Sequence, residues 1–124
     1  MGKGLKLEDL DVYKVAMEIG EAVWKIVDKW EYFPKKTLGA QYADAADSIA
    51  LNISEGYGRF HYKENKNFCY YSRGSAKETL TITQKARTRN LITEQEFAFL
   101  SQKLDSYFRL MYYYINSIGK QKVE

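Results

Sequence analysis

The sequence predicts an all-α protein, an antiparallel up-down-up-down four-helix bundle, and three observations carry that prediction. Apolar residues recur at threes and fours over long segments, and no strand-length segment alternates cleanly with period two. The chain breakers fall mainly between those segments: Pro34 is the only proline, and glycines stand at 39, 56, 58 and 119. The connections are short, which favours antiparallel neighbours. At 124 residues the chain is long enough for one continuous core, so 1–124 is read as a single domain.

The first helix is expected over 8–31, where Leu10, Tyr13, Met17, Gly20, Trp24, Val27 and Trp30 form one apolar stripe. A second stripe, Val12, Val15, Ile19, Ala22 and Ile26, runs beside it, so the apolar arc is wider than one neighbour requires. Phe33-Pro34 is expected to end this helix, since a residue before proline is pushed out of the helical region. Helix two, 38–57, presents Leu38, Tyr42, Ala45, Ala46, Ile49 and Ile53; its alanines permit close approach, and Gly56 and Gly58 supply the stop. Helix three, 62–89, carries Phe68, Cys69, Ser72, Ala76, Leu80 and Thr83. Its Gly74 costs about 1 kcal/mol relative to alanine, which predicts a packing role: a crossing point against the alanine-bearing face of helix two. Helix four, 94–118, opens on the capping-box spacing Thr93 to Glu96 and continues through Leu100, Leu104, Tyr107, Met111 and Ile115.

Composition narrows the function classes. Hydrophobic residues make up 45% and charged residues 28%, the balance of a folded soluble chain. Eleven Tyr, six Phe and two Trp are an unusual aromatic load, suited to surfaces that meet a partner. No apolar run is long enough to span a membrane and "MGKGLKLEDL" lacks a signal-peptide core, so a cytoplasmic location is expected. The Met-Gly opening is followed by Lys6 where a myristoylation pattern wants Ser or Thr. Cys69 stands alone, which excludes an internal disulfide and predicts a small buried hydrophobe.

No catalytic residue, metal site or cofactor is predicted. The single histidine, His61, has no carboxylate at the spacing of a di-metal bundle site, and it is the only ordinary base available to Cys69. Asp44 and Asp47 share a helix face without other convergent polar groups and read as solvated. Charge is unevenly spread: residues 8–31 hold seven acids and three bases, net −4, whereas 62–90 hold seven bases and two acids, net +5. An acidic helix with a spare apolar stripe and a basic helix suit a head-to-tail contact between copies. Arg73, Lys77, Lys85, Arg87 and Arg89 on helix three are the candidate nucleic-acid-binding residues. The run Tyr112 to Tyr114 can stack bases, although interface packing is its more ordinary use.

Asn52 and Glu55 share a face of helix two, as Ser75 and Glu78 do on helix three, and the four are expected to meet as a structural polar patch, balanced by Arg59 or Arg73. The stretches "LEDLDVYKVAMEI", "SIALNISEGYGR" and "RGSAKET", with the Phe33-Pro34 turn, Leu38 and Gln41, resemble the bacterial 23S rRNA intervening-sequence proteins. That family also contains the accessory variability proteins of diversity-generating retroelements. The resemblance covers nearly the whole chain and implies a ring-shaped homopentamer. For the retroelement members it further implies binding to a reverse transcriptase and to nucleic acid, RNA or DNA. The chain departs from the family pattern at Ala50, often proline, and at Ala43 and Asp44, often basic. The function expected is a non-enzymatic oligomeric bundle that binds structured RNA or a ribonucleoprotein through helix three, the alternative being a protein-binding scaffold.

Overall fold

The computed structural model describes residues 6–120; the Met-Gly opening, read above for leader and acylation patterns, lies outside them. Four long helices fill most of this span: α1 (Asp11–Asp28), α2 (Ala40–Tyr57), α3 (Tyr62–Thr88) and α4 (Glu94–Ser117). Among the described residues there is no strand.

α1 is shorter than its apolar pattern suggested at both ends. Leu7–Asp9 form a separate 3-10 turn, and the extended Leu10 divides it from the helix. At the other end Lys29 and Trp30 donate their N–H groups to Ile26 and Val27, closing the last turn well before the proline. Pro34 therefore does not stop the first helix. It lies in the opening turn of a new helical run, Tyr32–Pro34, where a missing N–H is one of the groups without a helical partner anyway. A wide π-helical turn, Lys35–Gly39, then leads directly into α2.

The end of α3 is fixed by its backbone. Asn90 adopts a left-handed φ of 58°. Leu91 N–H reaches back to Ala86 C=O at 2.8 Å and Asn90 N–H to Arg87 C=O at 3.1 Å, the paired bonds of a Schellman ending. α4 begins as its sequence predicts. Glu96 N–H donates to Thr93 Oγ1 at 3.0 Å, while Thr93 N–H donates to a Glu96 carboxylate oxygen at 2.9 Å.

One core runs through all four helices, with Ile19 and Val23, Ile49 and Ile53, Ala76, and Leu100, Leu104 and Met111 fully or almost fully buried. The α2–α3 contact is the most extensive: Tyr42, Ile49 and Gly56 meet Thr83, Ser72 and Phe68, and Ala76 and Thr79 are buried on the same face of α3. Buried hydroxyls are satisfied there. Ser72 Oγ donates to Ile49 C=O at 2.8 Å and lies 2.5 Å from the Tyr107 hydroxyl of α4. Thr83 donates to Thr79 C=O at 2.7 Å and lies 2.6 Å from the Tyr42 hydroxyl. Each of those hydroxyls has its one proton committed, so the two phenols donate. At the near end of α1, Trp30 Nε1–H donates to Leu91 C=O at 2.8 Å and ties α1 to the α3–α4 loop.

The glycine that allows close approach is not Gly74. A Cβ there would meet nothing within 4 Å, because the residue faces solvent. It is two positions from both Ser72 and Ala76, which on a helix is roughly the opposite side. The close approach belongs to Gly56, where an added Cβ would lie 2.8 Å from Phe68 Cβ and 3.0 Å from the Asn65 carbonyl oxygen.

Candidate nucleic-acid interface

All five predicted cations are exposed, four on α3 and Arg89 at its C-terminal cap, but they do not form one surface. The Arg73 guanidinium lies over the Tyr70 ring, 5.0 Å from its centre. Lys77 Nζ sits 4.5 Å above the Phe108 ring of α4. Arg87 forms a two-pronged pair with Glu94, at 3.1 and 2.9 Å, and covers Phe97 at 4.3 Å. Lys77 and Arg87 thus lean toward α4.

Lys85 and Arg89 turn the other way. One helical turn apart, they line a groove of about 740 Å³ whose opposite wall is Phe33 and Thr37 of the lead-in turn and whose floor includes Leu38 and Ile82. Among the described residues neither has a carboxylate within ion-pair distance. At the groove's other end Gln41 donates its amide to Glu78 at 3.2 Å. Thr81, Gln84 and Thr88 make a shallow polar shelf beside the same two cations. The groove is hidden in the sequence, because Phe33-Pro34 reads there as the end of helix one and stands instead at the start of the run into α2.

A second groove runs between α1 and α2. Gly20 is buried against Ala46 and Asp47, and the lining includes Tyr13, Met17, Glu21 and Leu51. Its rim is conspicuously apolar: Met17 is 44% and Leu51 65% exposed. Partial desolvation, then the charges of Glu21 and Asp44, raises the Asp47 carboxyl above its ordinary value. Asp44 and Asp47 are both exposed.

Cys69 is fully buried, with its thiol 3.9 Å from Asn65 Oδ1, and burial pushes it up to about 12, so a reactive thiolate is disfavoured. His61 is exposed at the start of α3, edge-on to Phe60 at 4.9 Å. Among the described residues no three His, Cys, Asp or Glu side chains are grouped to hold a metal, and no helix is long and apolar enough to cross a membrane.

The family model for the 23S rRNA-intervening sequence protein matches residues 8–113. The chain belongs to this family. A solved structure with the same fold is a protein of unknown function from the S23 ribosomal protein family of Bacteroides thetaiotaomicron VPI-5482. It aligns at a TM-score of 0.75 with 17% identity, covering 84% of this chain and 97% of that one. A search of curated proteins returns no match.

In this 23S rRNA-intervening sequence protein the "SIALNISEGYGR" segment serves packing in a way its spacing did not disclose. Asn52, half-buried, donates its side-chain amide to Ser48 C=O at 2.9 Å on its own helix. Glu55 is exposed and pairs with Arg59 at 2.6 Å, while Glu78 takes its bond from Gln41. Ser75 contributes its backbone C=O to Thr79 Oγ1 at 2.8 Å. No hydrogen bond joins Asn52 or Glu55 to Ser75 or Glu78, so the expected four-residue patch does not form. Asn52, Glu55 and Glu78 have other partners, and the buried α2–α3 polar contacts fall instead to Ser72 and Thr83. What the motif supplies is Gly56, where α2 and the start of α3 come together.

Proposed function

We propose that this chain is a non-enzymatic helical-bundle protein that assembles with copies of itself and binds structured RNA, or a ribonucleoprotein, through the cationic groove flank of α3. The observation that carries the reading is the Lys85 and Arg89 pair, adjacent and without carboxylate partners in a groove open to solvent. Unpaired cations at groove width are what attracts a phosphate backbone. An up-down-up-down order of antiparallel helices within one domain is supported by the contacts, since Val27 meets Gly39 while Gly20 meets Asp47, and Tyr42 meets Thr83 while Ile49 meets Ser72.

Assembly is supported by the α1–α2 groove and its apolar rim, a surface that a lone chain leaves wet. Its acids, Glu21 and Asp47, complement the bases of α3 on a neighbouring copy. Five copies in a ring is the number the family resemblance suggests. The same apolar rim favours a second reading, a scaffold for another protein with no nucleic-acid contact.

One experiment separates the two. RNA binding by the full chain is measured across a salt series, with light scattering to report mass. The expected result is an oligomer whose RNA affinity falls steeply with salt. Replacing Lys85 and Arg89 by Gln should flatten the logarithmic slope by about 1.4, from roughly 0.7 per single-strand phosphate contact, with the mass unchanged. An oligomer that binds no RNA at low salt returns the protein to the scaffold reading, and a clean monomer removes assembly.

A further inference from the structure

We infer that the groove between the lead-in turn and α3 is a single-stranded nucleotide site, in which Phe33 stacks a base while Lys85 and Arg89 hold the adjoining phosphate. This rests on the RNA-binding reading above and adds to it the strand form and the aromatic contact. The two aromatic residues of the turn differ in a way that matters. Tyr32, 75% exposed, has Lys36 Nζ 5.5 Å from its ring centre and does not line the groove. The Phe33 ring has no aromatic or cationic partner among the described residues, is 73% exposed, and stands on the groove wall.

An exposed ring on a mobile loop would have little stacking value, because ordering it would consume much of the gain. Phe33 is held. Pro34 restricts the backbone beside it, and its own carbonyl accepts a bond from Thr37 Oγ1 at 2.7 Å. The facing wall is a long helix whose end is closed by the Schellman bonds of Asn90 and Leu91, so Arg89 sits on a fixed backbone. The groove is polar at one end and cationic at the other. Glu78, held by Gln41, repels a phosphate from its end and leaves Lys85 and Arg89 as the only favourable anchor within the groove. The shelf of Thr81, Gln84 and Thr88 beside that anchor offers hydroxyl and amide groups to the next sugar or phosphate.

A duplex does not suit this arrangement. Its bases are stacked on one another and cannot present a face to Phe33, whereas an unpaired base can.

The test uses the full chain and one fluorescently labelled RNA offered in two forms, single-stranded and annealed to its complement. Phe33→Leu should weaken single-strand binding about tenfold, within the range for a lost base–aromatic stack, and change duplex binding by less than about twofold. Phe33→Tyr keeps the ring and should restore single-strand affinity. The Lys85→Gln, Arg89→Gln double variant should weaken both forms and flatten the salt dependence, which Phe33→Leu should leave intact. Thermal melts of each variant confirm an unchanged fold, as expected for exposed positions. Wild-type RNA binding that is indifferent to Phe33→Leu overturns the stacking site and leaves the electrostatic reading standing. Absence of binding to either form at low salt overturns both and points to a protein ligand for the groove.

Discussion

α2 has two neighbours and treats them differently. Toward α3 it offers Tyr42, Ala45, Ile49 and Gly56 to a row of small and hydroxylated residues, with Ser72, Thr79 and Thr83 buried and bonded. Toward α1 it approaches closely at Gly20, while Met17 and Leu51 stand out on the rim of an open groove with Glu21 and Asp47 between them. Small residues on both faces make a seam. Large apolar residues that outreach the seam make a surface for something else, and the number of apolar positions on a helix says little about which of the two results.

The contrast can be broken most severely at Gly56. Leucine there must displace Phe68 and the Asn65 backbone, and we expect a loss of about 1–3 kcal/mol or more, read from chemical denaturation. A midpoint equal to the wild type would mean that the α2–α3 seam is looser than described. On the outward side of α3 the sign should reverse. Gly74→Ala meets nothing and replaces a poor helix former, so a gain of about 0.5–1 kcal/mol is expected by the same measurement, and a loss would indicate a neighbour against Gly74.

The gentlest test lies in the open groove. Asp47 has a raised carboxyl, so the protonated form is favoured in the folded state; its stabilising contribution is complete below the ordinary carboxylate range and is lost as pH rises through the raised value. Asp47→Asn should therefore raise the melting temperature slightly at neutral pH and give no advantage in acid. A variant that melts lower at neutral pH would show that the charge is used, not merely tolerated.

Much of the architecture was legible because period and caps are local signals. The ends of α3 and α4 fell within a residue or so of expectation, and the Thr93–Glu96 box formed as drawn. Pro34 misled because the same residue type serves both after a helix and in the first turn of the next, and only the backbone of Lys29 and Trp30 decides which. Gly74 misled for a different reason: its cost in a helix is local, but whether a neighbour requires it depends on its angle to Ser72 and Ala76, which spacing already contained. The five cations fail as one surface on the same arithmetic, since Arg87 stands between Lys85 and Arg89 in sequence and across the helix from them in space. Phe33 could not have been found, because its place beside Lys85 and Arg89 arises from a contact between segments far apart in the chain.

The two buried hydroxyl pairs have an effect beyond their own stability. Ser72 and Thr83 are eleven residues apart, about three turns of α3, so both point the same way and each holds a phenol from a different helix: Tyr107 of α4 at one level, Tyr42 of α2 at the other. Sliding α3 by a single turn, about 5.4 Å, would bring Phe68 or Ala76 to the level of Ser72 and leave the Tyr107 phenol without its acceptor in an apolar interior. α3 therefore acts as a ruler, setting the height of the helices on either side of it. The lead-in turn is continuous with α2, so the alignment of Phe33 with Lys85 and Arg89 at the protein's surface is dictated from within, by hydroxyl groups that never meet the solvent.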